Sequence, residues 1–294
     1  MSANKVLAKT MSATIKPFQY RLPRPAVGVF PGAHPGQMVG NGQLFKRHDT
    51  LIARPDPRRI DLRASLLDPF GNYQVRVQQQ HSAIDVYLLA DLSASMRFGG
   101  NNDKRRVMAD MLLSIAASAL EYGDNIGFIA ANQQVLTDCY LPAGKHLGRI
   151  QSTAKRLETL DLQPGSAGLQ QAQRYLPKHR ALVFLASDFH FPLPQLQAIL
   201  QNLRRHDLIP LVLWDQTEYS RLPDWGLFQI QDLESGKRST LWLRPGLKRK
   251  IEQAFAQRRE QLQQQFRASG CEPLFIDNGY RAEQLGQYFL RRAG

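Results

Sequence analysis

Cysteine is close to absent from this chain, with only Cys139 and Cys271 among 294 residues. The two lie far apart and no CxxC occurs, which excludes a disulfide scaffold and a zinc knuckle. Long apolar runs are missing too, and nothing approaches the roughly 18 apolar residues of a membrane-spanning helix. The histidines show no HxxxH or HExxH spacing, so a zinc centre is not expected. GxxxxGK[ST] does not occur, and Gly40-Asn41-Gly42 lacks the third glycine and the strand–helix setting of a dinucleotide fingerprint. The first 25 residues are basic without an apolar stretch, so a secretory leader is not expected either. These absences predict a soluble, cytoplasmic protein with no membrane span.

Acidic residues are the scarcer charge. There are 25 against 38 Lys and Arg, a net charge of +13. The surplus sits mainly in residues 1–81, which hold 12 basic and 4 acidic side chains. Such asymmetry fits a basic arm for nucleic acid or an acidic partner, or else a plainly solvated basic surface. Within it, Arg58, Arg59 and Arg63 form the densest arginine group, suited to bidentate pairing with carboxylate or phosphate. Docking of the N-terminal module, with Asp61 as a local partner, is the alternative use for them. Few aromatics interleave with these arginines, which weakens the nucleic-acid reading.

Hydrophobic residues make up 43% of the chain, enough for a sizeable core. Composition changes near residue 83. Residues 1–82 are rich in Pro and Gly and read as a basic module of loops and short strands, with YQVRVQQ (73–79) alternating as a half-buried strand. Residues 83–294 alternate apolar strands with amphipathic helices. The strands are IDVYLLADL (84–92), NIGFIAA (125–131), RALVFLASD (180–188), LVLWD (211–215) and PLFID (273–277), with QVLTDCYLP (134–142) as a hairpin partner. Pro210 is expected at the start of its strand. Helices are expected over 104–123, 146–160, 168–176, 193–206, 248–270 and 281–292, with Gly270 capping the longest. A polar hairpin at about 225–243, turning at Glu234-Ser235-Gly236, interrupts the rhythm. This pattern predicts an α/β fold with a mostly parallel, doubly wound sheet, whose ligands sit beyond the carboxyl ends of the strands.

Two strands end in carboxylates followed by polar loops. Asp91-Leu92-Ser93-Ala94-Ser95 leads into a Gly-Gly-Asn-Asn loop, and Ser187-Asp188-Phe189-His190 ends a later strand. Between them, Pro164-Gly165-Ser166-Ala167-Gly168 forms a turn that opens a helix. Asp91, Ser93, Ser95, Ser166 and Asp188 form a hard-oxygen set of the type Mg²⁺ or Mn²⁺ prefers. Helix capping by Ser93 and Ser95 is the competing use of the same residues. A DxD phosphatase is not expected, because serine at position 93 cannot hold a proton as general acid. His190, two residues beyond Asp188, can approach the site or simply face solvent.

DLSAS, a hydroxyl after a Pro-Gly turn and a later Ser-Asp resemble the metal-ion-dependent adhesion site of von Willebrand factor type A domains. RRIDLRAS (58–65), the VRV strand, YLLADLSASM (87–96), DNIGFIA (124–130), DLESG (232–236) and QYFLRR (287–292) together resemble the bacterial domain of unknown function 58 family, over roughly residues 25–294. The resemblance implies a Rossmann-like, von Willebrand A-like sheet in which the first strand and the Ser-Asp strand are neighbours. It implies a Mg²⁺ site at Asp91, Ser93, Ser95, Ser166 and Asp188, and a MoxR-type AAA+ ATPase, or its client, as partner. Ser166 stands where a Thr is usual, and Ala167-Gly168 replace the customary Thr-Asp. Leu62 stands in place of Trp, and Arg54-Pro55-Asp56-Pro57 in place of a Gly-Asp-Asp turn. The function expected is a non-enzymatic protein-interaction module that works in complex assembly or maturation. The alternatives are a nucleic-acid binder using the basic module, and a metal-dependent hydrolase.

Overall fold

Strand β3 (Asp85–Asp91) is apolar between its two terminal aspartates and buried on both faces, as expected of a central parallel strand. The computed structural model describes residues 16–22, 31–97, 103–218, 225–231 and 238–293. β3 pairs in parallel with β4 (Asn125–Ala131) on one side and with β6 (Leu182–Ser187) on the other. β6 continues to β7 (Asp207–Leu213) and then β10 (Leu274–Ile276), both parallel, while β5 (Leu141–Gly144) closes the far edge antiparallel to β4. The order is β10-β7-β6-β3-β4-β5. The chain runs outward from β3 through β4, returns to β6 and then runs the other way, so strand order reverses between β3 and β6. In such sheets that reversal opens a crevice at the carboxyl ends.

Helices cover both faces. On one, Leu89, Ile129, Val183 and Leu185 pack with Leu196, Ile199 and Leu203 of α5 (Leu193–Leu203) and with Leu262 and Phe266 of α6 (Pro245–Ala268). On the other, the Phe184 ring meets Phe289 of α7 (Ala282–Ala293) edge-on. Helix α2 (Lys104–Glu121) buries Met108, Met111, Leu112, Ile115 and Ala119, the residues its period singles out. Helix α3 (Leu147–Thr159) buries Ile150, Ala154 and Leu157. Helix α6 ends at Ser269, and Gly270 follows with φ +73°, the left-handed conformation that glycine adopts without a steric cost.

Contact density divides the chain into two compact units, residues 22–84 and a larger one containing residues 85–293. Residues 16–21, expected within the basic module, belong to the larger unit. Ser114 Oγ donates to the Lys16 carbonyl (2.9 Å), the Phe18 N–H donates to Ser118 Oγ (2.9 Å), and the Phe18 ring stacks on Phe289. Aromatic burial outweighs the local basic composition in deciding where this segment sits.

In the smaller unit β1 (Pro31–Thr50) pairs antiparallel with β2 (Gln74–Ser82). The region expected as loops and short strands therefore carries one long strand. Its register shifts four times, and three of the shifts fall across stretches that carry a proline or glycine, which cannot follow a regular ladder. Val75 and Val77 of β2 are buried, as their alternation predicts. A short helix, α1 (Leu62–Leu66), lies between them, capped by the Asp61 carboxylate.

Three further differences have local causes. Residues 137–139 form a 3₁₀ turn, so the hairpin partner of β4 begins only at Leu141. The helix over 168–176 splits into α4 (Gly168–Gln171) and a 3₁₀ turn (Ala172–Tyr175). β7 starts at Asp207, which puts Pro210 inside the strand. β10 pairs with β7 only from Leu211 onward, so the missing N–H falls outside that ladder. The insertion is a hairpin of β8 (Gly226–Gln231) and β9 (Arg238–Leu243), whose expected Glu234-Ser235-Gly236 turn and DLESG motif lie in or across the undescribed residues 232–237. Among the described residues no helix is long and apolar enough to cross a membrane.

Candidate functional site

Asp91 ends β3, and Asp188 follows the last residue of β6. Because these strands are neighbours, both carboxylates meet at the reversal of strand order. Both are fully buried. The Ser93 N–H donates to Asp91 Oδ1 (2.9 Å) and the Ser187 hydroxyl donates to Asp91 Oδ2 (2.6 Å). The Ser93 and Ser95 hydroxyl oxygens lie 3.0 Å apart. Ser95 in turn bonds to the Asp188 side chain, and the His190 N–H donates to Asp188 Oδ1 (3.3 Å). Asp91, Ser93, Ser95 and Asp188 thus form one connected cluster with Ser187 inside it. The Gly-Gly-Asn-Asn loop behind Ser95 lies outside the described residues.

The two carboxylates differ electrostatically. Burial and the nearby Asp188 charge push the Asp91 carboxyl up to about 7, against the pull of its serine hydrogen bonds. Asp188 suffers the same burial, but the Lys104 ammonium, the His190 side chain, the Ser95 hydroxyl and the His190 N–H together pull it below the usual carboxylate range. Lys104 Nζ stands 3.5 Å from Asp188 Oδ2, an oxygen with no hydrogen-bond partner among the described residues.

Ser166 sits on the loop that opens α4. Its hydroxyl accepts from Gln195 Nε2 (2.9 Å), and no bond joins it to the Asp91–Asp188 cluster among the described contacts. The loop is nevertheless held close by a parallel bridge between Ser93 and Gln163. Gly165, at φ +98°, makes the turn. A Cβ on Gly168 would lie 2.4 Å from the Gln134 carbonyl carbon, where only backbone can give way. Gly168→Ala is expected to destabilise the protein by about 1–3 kcal/mol, as measured by urea unfolding. An unchanged midpoint would show that the loop is not pinned there.

The turn after Asp188 is strained. Phe189 is fully buried and has φ +53°, a conformation that costs a non-glycine residue of order 1–3 kcal/mol. Several bonds hold it. Its N–H donates to Ser187 Oγ (2.9 Å), its carbonyl accepts from Arg258 Nη2 (2.7 Å), and its ring meets Phe266 edge-on. Arg258 also bonds to the Phe191 carbonyl. Trp214 Nε1–H donates to the Asp188 carbonyl (2.9 Å), and the exposed His190 stacks on the Trp214 ring.

The donor set is one of hard oxygens, of the kind that suits a divalent cation. The two serine hydroxyl oxygens stand 3.0 Å apart, hydrogen-bonded to each other, and both are hard donors of the kind Mg²⁺ takes. Asp188 Oδ2 is a buried oxygen with capacity left to hold a coordinated water. The described residues contain no group of three or more His, Cys, Asp or Glu able to hold a metal, so any cation here depends on hydroxyls. That is hard-oxygen chemistry, unlike a nitrogen–sulfur zinc cage.

The arginines of the smaller unit are largely engaged. Arg59 pairs with Asp56 (3.1 Å), Arg76 with Asp61 (2.7 Å), and Arg47 and Arg54 both with Asp49. Arg58 and Arg63 are exposed. Beside them in sequence, Leu62, Leu66, Leu67 and Phe70 are also exposed, Leu66 by 88%. Sequence reading took Leu62 only as a departure from Trp, although the run LRASLLDPF carried the signal. It missed Lys104, Trp214 and Arg258 altogether. Each reaches the site from a distant element, and no local motif marks it.

An uncharacterized protein of Mycobacterium tuberculosis is 24% identical over 282 residues, 91% of this chain and 83% of its own length, and one from Mycobacterium bovis matches equally. Among solved structures, the conserved hypothetical protein BatB of Bacteroides thetaiotaomicron aligns over 72% of this chain and 99% of its own, at 12% identity and a TM-score of 0.41. A mussel byssus protein, proximal thread matrix protein 1, solved with a zinc-occupied adhesion-site motif, covers 45% of this chain and 38% of its own, at 16% identity and a TM-score of 0.34. The model of the family described as protein of unknown function DUF58 matches residues 56–262, more than half of the sequence, and the chain belongs to that family.

Proposed function

We propose that this chain is a non-enzymatic protein-interaction module that binds a partner carboxylate through a Mg²⁺-type site, in the cytoplasm. The observation that carries this reading is the cluster of Asp91, Ser93, Ser95 and Asp188 at the reversal of strand order. Ser93 and Ser95 would hold the cation through their hydroxyls, with Asp91 and Asp188 as carboxylates able to hold its coordinated waters. Ser166 would join the set by giving up its bond to Gln195. A cation held by neutral hydroxyls keeps most of its charge, so its open position takes one more hard anion. A Glu or Asp side chain of another protein supplies it.

The family resemblance supplies the partner in this proposal: a MoxR-type AAA+ ATPase, or its client, in complex assembly or maturation. The exposed Leu62, Leu66, Leu67 and Phe70, with Arg58 and Arg63, support a second contact surface on the smaller unit. Arg59 contributes from its pairing with Asp56.

The alternatives find less support. Arg47, Arg54, Arg59 and Arg76 pair with aspartates, and few aromatics interleave with the basic residues of this module, which weakens the nucleic-acid reading. A hydrolase needs a carboxylate free to move a proton. Asp91, although pushed up to about 7, is buried and accepts a hydrogen bond on each oxygen.

Affinity capture with the full chain as bait tests the proposal. A MoxR-type ATPase is expected to be retained with Mg²⁺, released by EDTA, and not retained by Ser93→Ala. Retention that ignores both EDTA and the serine would contradict it.

A further inference from the structure

Lys104 is the first residue of α2, just after the cap Asp103. A cation there meets the positive end of the helix dipole, so helix formation does not explain its placement. Its side chain is nonetheless 5% exposed, and the ammonium points at Asp188, whose side chain is 1% exposed. An ammonium is removed from water at this cost only against a buried negative partner.

The pair is incomplete. A charge-assisted N–H···O bond is about 2.7–2.9 Å long, whereas Nζ and Oδ2 stand 3.5 Å apart. Oδ2 has no hydrogen-bond partner among the described residues. Lys104 therefore compensates the charge of Asp188 without satisfying that oxygen's lone pairs. A hydrated divalent cation between Ser93, Ser95 and Asp188 would do both. Two cations cannot share the place, because repulsion between an ammonium and a dication is scarcely screened in a buried site.

We infer that Lys104 is the resident counter-ion of this site, and that its ammonium and a divalent metal are alternative partners of Asp188 Oδ2. Metal loading expels Lys104 from the cluster, and the metal-free site is held by the ion pair. The inference rests on the metal-site reading and adds its regulation. Metal alone binds against the lysine and therefore weakly. A partner carboxylate, by supplying another ligand, tips the exchange, so metal and partner each raise the affinity for the other.

Isothermal titration of Mg²⁺ into wild type, Lys104→Met and Lys104→Arg at pH 8 tests this, with thermal midpoints recorded for each. Lys104→Met is expected to bind Mg²⁺ at least about tenfold tighter, from the loss of one nearby like charge, while Lys104→Arg stays near wild type. A second measurement needs no variant. In wild type, acetylation of Lys104 followed by mass spectrometry is expected to be slow in EDTA and several-fold faster in saturating Mg²⁺. Equal affinities in wild type and Lys104→Met, or labelling unchanged when metal is bound, would overturn the inference and leave the metal site standing. No Mg²⁺ binding in any of the three proteins would overturn both.

Discussion

Asp188→Ala is expected to destabilise the protein by about 3–5 kcal/mol, because it removes the buried carboxylate that faces the Lys104 ammonium at 3.5 Å. A surface carboxylate removed from an exposed pair, such as Asp161 beside Arg97, is expected to cost about 1 kcal/mol or less. Lys104→Met is expected to be costly too, since it leaves Asp188 uncompensated beside Asp91. Combining the two substitutions removes both charges and is expected to recover most of the loss. Urea unfolding of the two single variants and the double variant measures the coupling directly. Additive losses would mean that the ion pair is incidental to the fold.

Loss of one serine ligand is expected to have the other large effect, on binding rather than stability. Ser93→Ala or Ser95→Ala removes a hydroxyl from the cation shell, so the bond from metal to partner carboxylate weakens. Dissociation of the captured partner is expected to accelerate at least about tenfold, with association little changed. Reversal of Arg58 and Arg59 to Glu is expected to act on the other rate, because charges at the rim steer encounter. Surface plasmon resonance on each variant separates the two. Unchanged dissociation in both serine variants would make DLSAS a structural turn.

Much of the fold was legible because its signals are local. The apolar runs 84–92, 125–131 and 180–188 are long enough and β-rich enough to read as buried strands, and α2 and α6 show clear helical periods. The reversal of strand order between β3 and β6 followed from the family resemblance, since pairing is a tertiary choice that neither strand encodes alone. Other features were hidden for physical reasons. Residues 16–21 join the larger unit through Phe18 and Tyr20, although their basic surroundings resemble the rest of the N-terminal quarter. The long β1 was masked by prolines and glycines that it absorbs as register shifts. At the site, Asp91, Ser93, Ser95 and Asp188 were visible as strand-end oxygens. Lys104 was not, because a lysine at the start of a helix reads as a solvated residue until tertiary structure places a carboxylate in front of it.

Titration of Mn²⁺ into the full chain, followed by electron paramagnetic resonance of the free ion, tests the central claim most directly. One bound Mn²⁺ per chain is expected at millimolar metal, displaced by excess Mg²⁺ and absent from the Ser93→Ala/Ser95→Ala double variant. A double variant that binds Mn²⁺ as wild type does, or a wild type that binds none, would contradict a metal site at the carboxyl ends of β3 and β6.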